Sequence, residues 1–220
     1  MNKNDELDLL FEKWREDETV EIFVDDGFTD PECYEKQNKH ILYVLRDAHI
    51  VDKAIKNPSL RKDLRNPIAE GRTWNNVARW TMAWLDEITF DEVERISSAI
   101  LENQLRRIGF MNLKKEAGGP EAKKISEYAK KHKEKIKEQI SICNPDIIVA
   151  CGTFDEIMCK VYNKDRKDFS VIGDMKYRTG CVEVNGKQIP VVDFYHPKYN
   201  KNNRKLFEDM KEIKRIFEEN

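Results

Sequence analysis

Apolar positions change period several times along the chain, and each change marks an element. Leu7, Leu10, Phe11 and Trp14 recur at helical spacing, which predicts an amphipathic helix over residues 5–16 with Asp5 as its N-cap. Val20 to Phe23 reads as a short strand closed by Asp25-Asp26-Gly27, and Ile41 to Leu45 as a compact β run. Pro58 and Pro67 keep the following stretch, to Gly71, from forming one helix. Val77, Trp80, Met82 and Trp84 predict a helix from Trp74 to Asp86 capped by Thr73, and a second helix is expected over residues 91–106. Ile108 to Leu113 returns to strand and ends in a Gly118-Gly119-Pro120 turn. Residues 121–142 predict one long Lys-rich helix, broken by Asn144-Pro145 before the strand Ile147 to Cys151. Gly152-Thr153 turns that strand into a helix ending near Tyr162. Asn185-Gly186 is a strong hairpin signal between Val182–Val184 and Gln188–Phe194, and residues 204–218 predict a closing helix.

Strands alternating with helices predict an α/β class fold: three α/β/α layers around a central four-stranded, mainly parallel sheet made of residues 41–45, 108–113, 146–151 and 189–194. At 220 residues the whole chain fits a single domain, with residues 1–40 as a helical and loop extension packed on it. No apolar run approaches the roughly 20 residues a membrane helix needs, and the N-terminus lacks a signal-peptide core. The expectation is a soluble cytoplasmic protein with no membrane partner.

Charge changes this picture little in sum and more in detail. The charged fraction is 36% and the net charge −2, without the overall basic balance of many nucleic-acid binders. However, Lys123, Lys124, Lys130, Lys131, Lys133, Lys135 and Lys137 load one helix, and Lys198, Lys201, Arg204 and Lys205 cluster near the C-terminus. The five cysteines, Cys33, Cys143, Cys151, Cys159 and Cys181, are an odd number with no metal-ligand spacing, so they read as structural thiols; neither metal nor cofactor is expected.

Three short pieces carry candidate chemistry: Leu45-Arg46-Asp47-Ala48-His49, Gly109-Phe110-Met111-Asn112-Leu113-Lys114-Lys115, and Phe194-Tyr195-His196-Pro197-Lys198-Tyr199. In a parallel sheet strand C-termini gather on one edge, where ligands bind. An Asp, an Asn and a His arriving there from three strands form a candidate site.

The order of these segments resembles the uracil-DNA glycosylase superfamily. Its first motif, Gly-Gln-Asp-Pro-Tyr in the best-known branch, looks like Leu45-Arg46-Asp47-Ala48-His49, and its final His-Pro-Ser like His196-Pro197-Lys198. Asn112 matches an Asn at the end of the second strand, and residues 144–152 resemble the helix-to-strand segment of many members. The resemblance covers the chain from about residue 41 onward. It implies a monofunctional DNA glycosylase that flips a pyrimidine out of DNA and hydrolyses its N-glycosidic bond, leaving an abasic site.

The residues suit that chemistry. A carboxylate near the sugar can stabilise an oxocarbenium-like centre and orient water, which suits Asp47. A neutral His can hold charge developing on the base oxygen, which suits His196. An amide with one donor and one acceptor suits a pyrimidine edge, hence Asn112, and an extruded base needs an aromatic to stack on, hence Trp74. His49 and Arg46 would shape the base pocket, while Lys114, Lys115, Lys198 and Lys201 would contact phosphates. Each has a plainer reading: Asp47 as a helix cap, His196 and Asn112 as turn residues, Trp74 as core.

The chain also departs from the family pattern. Arg46 replaces the Gln, Ala48 the Pro, and His49 the Tyr that blocks bulky C5 groups; Lys198 replaces the Ser of the final motif. Strict uracil selectivity is therefore not implied, and a C5-modified cytosine such as hydroxymethylcytosine or its glucosylated form, in a role in phage defence, is a second hypothesis for the substrate. A non-catalytic nucleotide or DNA sensor on the same fold, or an enzyme of free nucleotides, are the alternatives.

Overall fold

The computed structural model describes residues 2–16, 22–47, 58–69, 71–116, 122–199 and 202–219. Its elements in chain order are α1 (Lys3–Glu16), α2 (Pro31–Glu35), β1 (Ile41–Asp47), α3 (Leu60–Asp63), α4 (Arg72–Leu85), α5 (Phe90–Val93), α6 (Ser98–Leu105), β2 (Gly109–Lys114), α7 (Ala122–Lys131), α8 (Lys133–Cys143), β3 (Ile147–Cys151), a wide-turned π-type helix (Glu156–Val161), a 3-10 turn (Arg166–Asp168), β4 (Ser170–Val171), β5 (Arg178–Val184), β6 (Lys187–Phe194) and α9 (Asn203–Glu219). No helix among the described residues is long and apolar enough to cross a membrane.

The four apolar runs form parallel strands, as their pattern predicts. The sheet nevertheless has six strands, in the order β2-β1-β3-β6-β5-β4, with β5 and β4 added antiparallel. The hairpin turns at Asn185 and Gly186, both at positive φ (51° and 75°). The chain runs from β1 outward to β2, then back across β1 to β3. Right-handed crossovers place the connecting helices on opposite faces when the direction reverses. Accordingly α4 and α6 cover one face and α7 and α8 the other.

Alternation along the strands assigns each side chain to a layer. Ile41, Tyr43, Leu45, Phe110, Val149 and Phe194 meet Val77, Trp80 and Met210 on the α4 face. Leu42, Val44, Met111, Ile148 and Val191 meet Phe11, Trp14, Ile136 and Ile140 on the α1/α8 face. Leu7, Phe11 and Trp14 are 0% exposed, so α1 supplies core to the domain.

Residues 23–27 cover the outer edge of β2, which would otherwise present unpaired backbone groups. Gly27 exchanges backbone hydrogen bonds with Phe110 (2.9 and 3.0 Å), and Val24 N–H donates to Lys115 O at 2.9 Å. Gly27 sits at φ +133°, a conformation side chains resist, and a Cβ there would also crowd Leu7 Cδ1 at 2.4 Å. The strand expected over residues 20–23 is thus a set of single bridges, with Phe23 opposite Glu116; Val20 and Glu21 lie outside the described residues.

Several helix ends differ from the sequence reading. Asn2 caps α1 in place of Asp5, its Oδ1 accepting from Asn4 and Asp5 N–H. Gly71 is the N-cap of α4, with Thr73 inside the helix. The helix expected over 91–106 is two, because Arg79 takes the carbonyls of Val93 (3.2 Å) and Glu94 (2.7 Å) and Ser97 caps a new start at Ile100 N–H. The Lys-rich helix breaks at His132, whose ring packs on Tyr128 (4.2 Å) and Trp14 (5.7 Å). Cys143 and Cys151 are buried, but Cys181 is exposed, so the structural-thiol reading does not extend to it.

Candidate functional site

Where the chain order reverses, between β1 and β3, an open α/β sheet leaves a crevice beyond the strand C-termini. The last β1–β3 pair is Val44 with Ala150, after which β3 turns away and β1 continues to Asp47. Gly152 makes that turn at φ +68°, a conformation side chains resist, and donates its N–H to Phe194 O at 2.9 Å. Buried Thr153 closes the floor of the split by donating its hydroxyl to Val44 O at 2.8 Å.

Asp47 ends β1 on the α4 face, in step with Leu45, and is partly exposed. In register, Leu45 lies beside Asn112 and Asp47 beside Lys114. Asn112 shares the α4 face with Phe110, two residues earlier. It is 3% exposed, and its Nδ2 is buried without a hydrogen-bond partner among the described residues. Leaving such a donor unmet costs about 1–3 kcal/mol. A donor in this position is open to an acceptor from a ligand. Trp74 stands nearby in the first turn of α4, partly buried, its ring edge-on to Phe110 at 5.4 Å.

His196 follows β6 across the split, its Cβ 3.7 Å from where a Cβ on Gly152 would lie. Its Nδ1 accepts the Lys198 backbone N–H at 3.2 Å, so the neutral ring carries its proton on Nε2. Burial lowers its pKa from the ordinary histidine value, and the charges of Arg46 and Lys198 lower it further. At neutral pH the side chain is therefore an uncharged donor flanked by two cations. Arg46 projects to the α1/α8 face, where it also lies close enough to Glu156 to act on that carboxylate's charge.

The turn holding His196 is anchored by a residue the sequence reading missed. Asn76, 1% exposed on α4, donates to Pro197 O at 2.8 Å and accepts from Arg79 at 3.2 Å. Its signal is a polar residue beside Val77 in an otherwise apolar helix face. Asn76→Ala is expected to cost about 1–3 kcal/mol of stability in denaturant unfolding, because it orphans a buried carbonyl. A loss below about 0.5 kcal/mol would mean that the turn holds itself.

The structure corrects one lysine assignment. Lys115 is 0% exposed and its Nζ donates to both carboxylate oxygens of Asp26 (2.7 and 2.6 Å), so it faces the interior and cannot reach a phosphate. Lys114, one residue earlier and on the opposite face of β2, is 8% exposed with its Nζ 3.4 Å from Glu116. Lys198 is exposed beside His196. His49 and Lys201 lie outside the described residues, as does Ala48.

Asp47, Asn112, Trp74 and His196 thus come to one edge of the sheet, with Arg46 behind. No family model matches the chain, and no curated protein shows significant similarity to it.

Proposed function

We propose that this chain is a DNA glycosylase of the uracil-DNA glycosylase type, which hydrolyses the N-glycosidic bond of a pyrimidine turned out of DNA. The observation that carries this reading is the buried, unpartnered Asn112 Nδ2 on the same face and edge as Asp47, across the split from a neutral His196. In this reading the glycosidic bond breaks with its electron pair going to the base. His196 Nε2–H and the charges of Arg46 and Lys198 favour the anion so formed. Asp47 stabilises the sugar cation and takes the proton of the water that attacks C1′. Asn112 reads the base edge, Trp74 lines the base pocket, and Lys198 meets the DNA backbone. The substrate is uracil or a cytosine enlarged at C5, such as hydroxymethylcytosine or its glucosylated form.

The test is base release from DNAs carrying uracil, a thymine mismatch, hydroxymethylcytosine or glucosylated hydroxymethylcytosine, with alkali revealing abasic sites. Release from one member names the base. Silence across the panel with DNA still bound would replace catalysis by a sensor role.

The pH profile is a second expectation. Base release needs neutral His196, so activity is lost as pH falls through a pKa below the usual 6.5. Lys198→Ala, which removes a charge that opposes protonation, should move this acid limb to higher pH. His196→Gln should remove it. A limb that stays in place in both variants belongs to another group.

A further inference from the structure

The edge of β2 is completed by a side chain where a strand would offer backbone. Outward-facing N–H groups of β2 alternate, and that of Phe110 reaches Gly27 O at 3.0 Å. The next is Asn112. A regular antiparallel partner would present Asp25 O to it, but that carbonyl is turned away and accepts Leu60 N–H at 3.1 Å. In its place Asp26 Oδ2 accepts the Asn112 N–H at 2.7 Å. Asp26 is 0% exposed, and its carboxylate also accepts from Lys115 Nζ at 2.6 and 2.7 Å and from Gln139 Nε2 at 2.7 Å.

We infer that Asp26 is a positioning residue for Asn112: a carboxylate sealed inside the protein sets the backbone from which the base-reading amide is presented. The inference rests on the proposed reading of Asn112. Three donors from β2, its trailing residue and α8 converge on two oxygens, so the carboxylate can neither rotate nor shift without breaking a charged or buried bond. Asn112 is thereby tied on its outer side by Asp26 and paired on its inner side with β1. Its buried Nδ2 then points from a fixed Cα. Such rigidity is what discrimination by hydrogen bonding requires, because a site that holds its donor in place rejects a base that cannot meet it.

Replacing Asp26 alone would strand the Lys115 ammonium, so the test uses two charge-balanced pairs. D26N/K115M keeps an acceptor for the Asn112 N–H, whereas D26L/K115M removes it. Amide exchange by NMR reads the bond itself. The Asn112 amide should stay protected in wild type and D26N/K115M and exchange at least about tenfold faster in D26L/K115M, with the Met111 amide unchanged. Equal protection in the two double variants would overturn the inference, whatever the activity.

Base discrimination reads the consequence. The ratio of release between the best and second-best base of the panel should hold in D26N/K115M and fall about tenfold in D26L/K115M, as it should in Asn112→Ala. A ratio that falls in Asn112→Ala but holds in D26L/K115M also overturns the inference. A ratio unmoved by Asn112→Ala instead removes Asn112 from base reading, and amide exchange alone then decides the role of Asp26.

Discussion

Asp47→Ala is expected to lower single-turnover base release by about 10³-fold, or about 4 kcal/mol of barrier, while DNA binding and folding are kept. The size reflects the two roles the carboxylate would fill. It faces a sugar that acquires positive charge, and it holds and deprotonates the water that attacks it. Asp47→Asn should lose nearly as much, because it keeps the shape and hydrogen bonds and removes the charge. Stability should change by less than about 1 kcal/mol, since Asp47 is the last, partly exposed residue of β1 and leaves the buried ladder intact. Release within about tenfold of wild type would return Asp47 to the plainer role of a helix cap.

The parallel frame of this fold was legible because it depends on features that are local in sequence. Four short apolar runs separated by helical periods suffice for four parallel strands, and parallel strands bring their C-terminal motifs to one edge. Asp47, Asn112 and His196 reach that edge for this reason alone. The features that escaped depend on contacts between distant elements. The helix over 91–106 divides because Arg79, from α4, captures two of its carbonyls. The Lys-rich helix bends because the His132 ring is held between Trp14 and Tyr128. β4 is two exposed residues with no pattern to see.

Within the site, one residue step decides where a side chain goes. Lys114 and Lys115 look equivalent in sequence, yet alternation sends them to opposite faces, one beside Glu116 and the other to Asp26. Asp26 itself was hidden in Asp25-Asp26-Gly27, whose composition signals a turn and nothing more. Its partners Lys115 and Gln139 lie 89 and 113 residues away. A carboxylate and an ammonium that are both 0% exposed can be recognised as a pair only when the fold is known.

That pair sets the largest expected loss of stability. Asp26→Ala should cost about 3–5 kcal/mol at neutral pH, comparable to a large share of the roughly 5–15 kcal/mol that holds a domain folded. The Lys115 ammonium would remain buried with its counter-charge gone, while Gln139 Nε2 and Asn112 N–H would lose their acceptor. The deficit should also depend on pH, with a definite sign. Burial already lowers the Lys115 pKa against the raising effect of Asp26, and removing Asp26 lets burial act almost unopposed. Between that lowered value and the ordinary lysine value the unfolded chain binds more protons than the folded one. Stability of the variant therefore rises with pH through this window, more steeply than in wild type. Denaturant midpoints at pH 7 and near pH 9.5 should show the deficit shrinking as Lys115 becomes neutral, and K115M added to Asp26→Ala should recover part of it at pH 7. A deficit below about 1 kcal/mol, or one equal at both pH values, would mean that water enters and solvates Lys115 once the carboxylate is gone.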